Sequence, residues 1–364
     1  MPFVCTFLGE NAAEREVGVL FLPHKTQGGG GDELYGLADA FPDSPAKDSC
    51  ANRFTAAELW YNTASMSTNR YLLWLDWPIG AFRLNASGLA VFKSLVEGEV
   101  RMVRSERAFL RELPTATHAI VWAFRKEWFA RAKNLRVLAT PGAGRELLPT
   151  DAELPPGVVR VNGAFHGAIM SETVLAFIFA HARGLYAAAR FQRAGDLWPR
   201  AALSPFCTRV AGTKAVILGY GKIGRAIGDR LAALGVAVAG IRRANIGDLR
   251  AEAKTADWLI VALPGDTGTD NLVDAAVLGA MKRTAVLINV GRGNAVDEAA
   301  LARALATRRL AGAYLDVYRR EPLTASSPLA ADLPGLVRLP HASAFAPDYL
   351  PLFFRELAAE GALA

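Results

Sequence analysis

Three short segments in the second half of the chain carry an arginine, two carboxylates and a histidine: NVGRG with Arg292, LDVYRREP with Asp316 and Glu321, and LPHAS with His341. Together these residue types can work on a 2-keto acid. A guanidinium can grip a carboxylate and the neighbouring carbonyl through its forked N–H donors. An imidazolium can give a proton to the alkoxide that forms when that carbonyl is reduced. A carboxylate bonded to the imidazole raises its pKa and fixes its orientation. Arg292 is therefore a candidate substrate anchor and His341 a candidate proton donor, with Asp316 or Glu321 available as the carboxylate. Each has a plainer interpretation when taken singly: a capping arginine, a turn-ending glutamate, a structural histidine. Their ordered succession behind a glycine loop favours catalysis.

That loop lies in KAVILGYGKIGRAIGDRLAALGVAVAGIRR, where Gly219, Gly221 and Gly224 are spaced GxGxxG. An apolar strand precedes them, an amphipathic helix spans Lys222 to Leu234, and a second strand begins at Val236. The first glycine permits the tight turn, the second lets the backbone approach a pyrophosphate, and the third allows close helix packing. Phosphates would rest on the amides at the helix N-terminus, around Lys222 and Ile223. At the end of the second strand, an Asp or Glu would accept from free ribose hydroxyls; here Arg242 and Arg243 stand instead. Arginine pairs with a 2′-phosphate, so NADP is expected in preference to NAD, which remains possible.

The elements that must hold these residues are legible as alternating runs. HAIVWAF and RVLATPGAG are short buried strands that start from His118. SETVLAFIFAHARGLYAAARFQRAGDLW, Ser171 to Trp198, is expected to be one long apolar helix linking two domains, with enough apolar surface to pack a symmetric homodimer. Beyond it KAVILGYG, VAVAGIRR, DWLIVALP, AVLINVGRG, AGAYLDVY and LVRLPHAS are strands separated by helical segments. This pattern gives a doubly wound parallel α/β sheet over 171–341. The final DYLPLFFRELAAEGALA is a helix returning to the first domain, which takes 1–170 and 342–364. The first 115 residues are expected to be irregular, with loop excursions at Gly28 to Leu34 (GGGGDEL) and Phe41 to Ser49 (FPDSPAKDS).

Composition narrows the class further. A chain of 364 residues, 52% hydrophobic and 21% charged, is long enough for two cored domains and excludes extensive disorder. No apolar run reaches the roughly 18 residues of a spanning helix, and MPFVCTFLGENAAER lacks the pattern of a secretory leader. Cys5, Cys50 and Cys207 form neither a disulfide framework nor a metal cluster, so a cytoplasmic, metal-free protein is expected. The net charge of +6 comes from scattered arginines. No block of five basic residues suggests nucleic acid, and mild attraction of an anionic small molecule is the simpler consequence.

GYGKIG, ADWLIVALP, MKRTAVLINVGRGNAVDEAAL, LAGAYLDVYRREPL and LPHAS, in that order, resemble the D-isomer-specific 2-hydroxyacid dehydrogenase family from about His118 to the C-terminus. The resemblance implies a Rossmann nucleotide-binding domain with a flavodoxin-like substrate domain. It also implies hydride transfer between a nicotinamide and a 2-keto or 2-hydroxy acid of the glyoxylate or hydroxypyruvate class, in the D configuration. Carried over to this chain, the resemblance makes Arg292 the anchor of the substrate carboxylate and carbonyl, His341 the general acid and base, and Glu321 its partner. Leu263 and Pro264 would lie along the adenosine, Val290 beside the cofactor, and Asp316 at the nicotinamide carboxamide. The amides of Ala143 and Gly144 in TPGAG would hold the substrate carboxylate. Three departures stand out. RELLPTD after Gly144 replaces an aromatic residue followed by Asn or Asp, the segment between Arg243 and Asp257 is short, and the first 115 residues match no motif, so selectivity could differ there. Two rival readings use the same scaffold. A formate-type enzyme would carry Gln in place of Glu321, with phosphite oxidation still open, and a cofactor-sensing corepressor would not turn substrate over.

Overall fold

The computed structural model describes residues 4–6, 19–21 and 69–363. Near the start of the chain, β1 (Val4–Thr6) and β2 (Val19–Phe21) form an antiparallel pair. The loop excursions expected at Gly28 to Leu34 and Phe41 to Ser49 lie outside the described residues.

From Asn69 onward the chain builds two parallel sheets. The first contains β3 (Arg70–Trp74), β4 (Glu99–Met102), β5 (His118–Val121), β6 (Val137–Thr140) and β7 (Val159–Asn162), in the order β4-β3-β5-β6-β7. With β3 counted as first, this is the flavodoxin-like order 2-1-3-4-5. The central strand β5 is buried along its whole length, as a strand covered on both faces must be.

The stretch from Arg70 to Thr115 is thus regular, contrary to the expectation from sequence. It holds two strands and the helices Ala86–Ser94 and Glu106–Glu112. Asn85 and Ser105 cap those helices by accepting from the amides of Gly88 and Ala108. Helices of two turns and strands of four or five residues are too short to show a period.

The second sheet contains β8 (Lys214–Leu218), β9 (Ala237–Ile241), β10 (Trp258–Val261), β11 (Val286–Asn289), β12 (Gly312–Leu315) and β13 (Leu336–Arg338). Its order is β13-β12-β11-β10-β8-β9, parallel throughout. The chain steps from β8 out to β9 and then crosses back to β10 on the other side. The order therefore reverses at β8, and a crevice opens beyond the carboxyl ends of β8 and β10. The short segment after β9 forms a 3-10 turn and the helix Leu249–Ala253, and no strand lies between β9 and β10.

The linking helix is shorter than expected and starts earlier. It runs His166–Ala182, breaks at Gly184, and resumes as Leu185–Arg193. Gly184 has φ 67°, a left-handed conformation that glycine adopts without steric penalty, and Leu203 and Cys207 pack close against it. The first helix does join two cores. Met170, Val174, Phe177 and Ile178 pack under the second sheet, while Phe165 and Ile169 lie against the first. The C-terminal helix Tyr349–Ala359 returns to the first sheet, burying Phe353, Phe354 and Leu357 beside Tyr71, Leu73 and Phe92.

Candidate active site

A cleft of about 1830 Å³ is lined by loops at the carboxyl ends of strands in both sheets. Its nucleotide side begins where β8 ends. Gly219 turns with φ 97°, and a side chain there would lie 2.6 Å from the Ala262 carbonyl oxygen. Gly224 packs against the Gly219 carbonyl. At Gly221, which caps the helix Lys222–Ala233, no atom stands where a Cβ would point. The backbone is therefore open to a ligand at the turn where the helix presents its unpaired amides, an arrangement that fits a pyrophosphate. Lys222, Ile223, Leu263, Pro264 and Val290 line the same cleft. Arg242 and Arg243 follow β9. The Arg242 Nε donates to the Tyr220 carbonyl at 3.1 Å and its guanidinium lies 5.7 Å from the Tyr220 ring centre. Arg243 is solvent-exposed, 3.8 Å from Asp266.

On the chemical side, His341 Nδ1 and Glu321 Oε2 are 2.7 Å apart. The other Glu321 oxygen accepts from the Tyr318 amide at 3.0 Å. The hydrogen bond to Glu321 raises the His341 pKa; burial opposes this, and the charges of Glu321 and Asp316 add to it. For Glu321, burial pushes the carboxyl up, but the bonds from His341 and the Tyr318 amide outweigh it and hold the group low. The pair is thus biased toward imidazolium and carboxylate.

His341 has φ 55°, a backbone conformation that is uncommon for a residue with a side chain. Asp316 holds it there. The Asp316 carbonyl accepts from the His341 amide at 2.8 Å, and its carboxylate accepts from the amides of Ala342 at 2.6 Å and Ser343 at 3.0 Å. Asp316 is 0% exposed and is not among the residues lining the cleft. The sequence expectation placed Asp316 at a nicotinamide carboxamide; in the structure it lies beneath the cleft lining, with each carboxylate oxygen accepting one amide of the turn that carries His341.

Arg292 extends from the loop after β11, which Asn289 braces by donating to the Arg292 carbonyl and accepting from the Gly291 amide. Its guanidinium meets Glu146, at 2.8 Å, from the loop after β6. Burial pushes the Glu146 carboxyl up, while bonds from Arg292 and its own amide, with the charges of Arg292 and His341, hold it low. Ala143 and Gly144 line the cleft on that same loop, which Asn162 ties down by donating to the Gly144 carbonyl at 2.9 Å. The expected site residues other than Asp316 are thereby brought into one cleft. Sequence reasoning missed Glu146 and Asn162. The unusual RELLPTD after Gly144 was the available signal for Glu146, and none pointed to Asn162.

A family model described as the NAD binding domain of D-isomer specific 2-hydroxyacid dehydrogenase matches residues 175–343. The chain is 35% identical over 231 residues to glyoxylate/hydroxypyruvate reductase B of Pectobacterium carotovorum subsp. carotovorum, covering 59% of this chain and 71% of that protein. The chain belongs to the D-isomer specific 2-hydroxyacid dehydrogenase family. A second relative in sequence, glycerate dehydrogenase of Methylorubrum extorquens, is 31% identical over 66% of this dehydrogenase and 76% of its own length. In structure, a D-isomer specific 2-hydroxyacid dehydrogenase from Xanthobacter autotrophicus Py2, solved with NADPH and MES, superposes with a TM-score of 0.63 at 27% identity. It covers 80% of this chain and 96% of that one. The two sheets of the dehydrogenase are accordingly a nucleotide-binding and a substrate domain of this family.

Proposed function

We propose that the protein reduces a 2-keto acid to the D-2-hydroxy acid with NADPH preferred over NADH. The observation that carries this reading is the 2.7 Å His341–Glu321 pair sharing a cleft with Arg292 and an open glycine turn. Bound nicotinamide supplies the hydride. Arg292 orients the substrate carboxylate and polarises its carbonyl, with the Ala143 and Gly144 amides receiving the carboxylate on the opposite side. His341 gives its proton to the developing alkoxide, and Glu321 keeps that proton available near neutral pH. Glyoxylate and hydroxypyruvate contain the minimal carboxylate and carbonyl that these groups address. Arg242, steered by Tyr220, supports the preference for a 2′-phosphate.

We further infer a substrate domain of 1–170 completed by 342–364, a nucleotide domain of 171–341, and a cytoplasmic homodimer. Exposed Phe179, Leu185, Tyr186, Leu197 and Trp198 on the linking helices and the turn beyond support the dimer. No helix of the described residues is long and apolar enough to cross a membrane. The reaction is tested by following NADPH absorbance with a panel of 2-keto acids, where cofactor binding without turnover of any acid would refute it. Sedimentation at micromolar concentration tests the dimer, and a monomer there refutes it.

A further inference from the structure

The catalytic groups occupy one flank of the cleft, and another flank is aromatic. Trp77, Phe82, Trp122 and Tyr349 line the same cavity as Arg292 and His341. Trp77 and Trp122 follow the carboxyl ends of β3 and β5, where the first sheet reverses its strand order. An open α/β sheet forms its ligand crevice at such a point. The ring centres of Trp77 and Trp122 are 5.9 Å apart, Phe82 lies 5.2 Å from Trp122 and 4.7 Å from Tyr349, and Tyr349 stacks on Trp122 at 6.0 Å. The wall runs from the core toward solvent, with Tyr349 3% exposed and Trp77 43% exposed.

This wall abuts the groups that orient the substrate. Thr140 donates to the Trp122 carbonyl at 3.1 Å, and the Tyr349 hydroxyl lies 3.4 Å from the Pro141 carbonyl, beside the Ala143–Gly144 turn. Phe345, shortly after His341, packs edge-on against Phe82 at 5.0 Å. The Trp122 indole N–H is committed to the Phe82 carbonyl at 3.1 Å, and the Tyr349 hydroxyl is bonded to His166 at 2.8 Å. Trp122 is thereby left to the cleft as an apolar ring with its polar atom already partnered, and the buried Tyr349 packs against it. A hydroxymethyl group would find poor company there, and glyoxylate has no substituent to place.

Resting on the 2-keto acid reading above, we propose that the substrate is an arylpyruvate, whose ring on C3 lies against Trp77, Phe82 and Trp122. Rings packed edge-to-face or offset gain beyond the area they bury, and a side chain held by three of them discriminates by size and shape.

The test compares kcat/KM for phenylpyruvate, 4-methyl-2-oxopentanoate, hydroxypyruvate and glyoxylate in the wild type, Trp77→Ala and Phe82→Leu. Phenylpyruvate is expected to lead the others by at least about tenfold, and Trp77→Ala to shrink that lead by about tenfold while NADPH binding and Tm show the variant folded. Phe82→Leu, which keeps an apolar side chain, should shrink it less. A smaller or aliphatic acid used as well as phenylpyruvate, or a lead untouched by Trp77→Ala, overturns the proposal. If no 2-keto acid is reduced, the reaction reading fails separately, and calorimetric titration with phenylpyruvate decides the wall. Saturable binding that Trp77→Ala weakens supports the wall, and absence of binding overturns it.

Discussion

The Arg292 guanidinium is bonded to the Glu146 carboxylate at 2.8 Å across 146 residues of sequence, so the group proposed to anchor a substrate anion already holds an anion of the chain. Both side chains are partly exposed, so solvent screening keeps the pair weak enough to open. On the proposed mechanism, an incoming 2-keto acid exchanges with Glu146 at Arg292.

Glu146→Gln removes that competition without removing the loop. The expected outcome is a KM for the keto acid lower by about three- to tenfold, with the difference shrinking at high salt. Steady-state assays at two ionic strengths check this. An unchanged or higher KM at low salt would mean that Glu146 and the substrate do not compete.

Glu321 raises the His341 pKa, so the alkaline limb of the reduction profile reports on their bond. If His341 is the proton donor proposed above, reduction should fall as pH rises through this raised pKa, while oxidation of the hydroxy acid should rise over the same range. In Glu321→Gln the fall should move to lower pH. His341→Ala should lower kcat by about two to four orders of magnitude with cofactor affinity retained. A pH profile of kcat/KM that is the same in wild type and Glu321→Gln would remove the pair from the proton transfer.

For the cofactor, Arg242 and Arg243 should favour NADPH over NADH by about ten- to a hundredfold in Kd for each arginine that engages the 2′-phosphate. Because both side chains are solvent-accessible, the preference should weaken in salt. Arg242→Asp should reverse it by repelling the phosphate and accepting from a free ribose hydroxyl. Equal wild-type dissociation constants at low salt would show that neither arginine engages the phosphate.

Two buried histidines set an acid limit on stability. Burial, reinforced by Arg136 for His118 and by Arg292 for His166, lowers each pKa from 6.5 to about 4. Between those values the unfolded chain binds more protons than the folded one, so stability is full above about pH 6.5 and falls as pH drops toward 4. The loss reaches at most about 3 kcal/mol for each histidine. His341 runs the other way: its contribution is full below its ordinary value and is lost as pH rises through its raised one. Urea unfolding at pH 7.5 and pH 5 should show the acid loss, and His118→Gln should reduce it. The same pH dependence in wild type and variant would exclude His118.

What the sequence determined by itself were features whose causes are local. Gly219 is required by a turn whose φ is positive, and Gly224 by contact with the carbonyl of Gly219. The strands β8 to β12 show as apolar runs separated by helical segments, β13 follows β12 with no helix between them, and Arg292, Glu321 and His341 follow three of these strands. Each of these signals lies within a few residues of chain, where backbone sterics and burial act directly. The tertiary structure alone decided what depends on distant segments meeting. Asp316 braces the His341 turn because that turn folds back onto its carboxylate. Glu146 answers Arg292 only once the two sheets face each other. The aromatic flank forms only when Trp77, Trp122 and Tyr349 converge from two strand ends and the last helix. Side-chain contacts of this kind carry no periodicity or spacing, because they are set by how the two sheets and the returning helix pack.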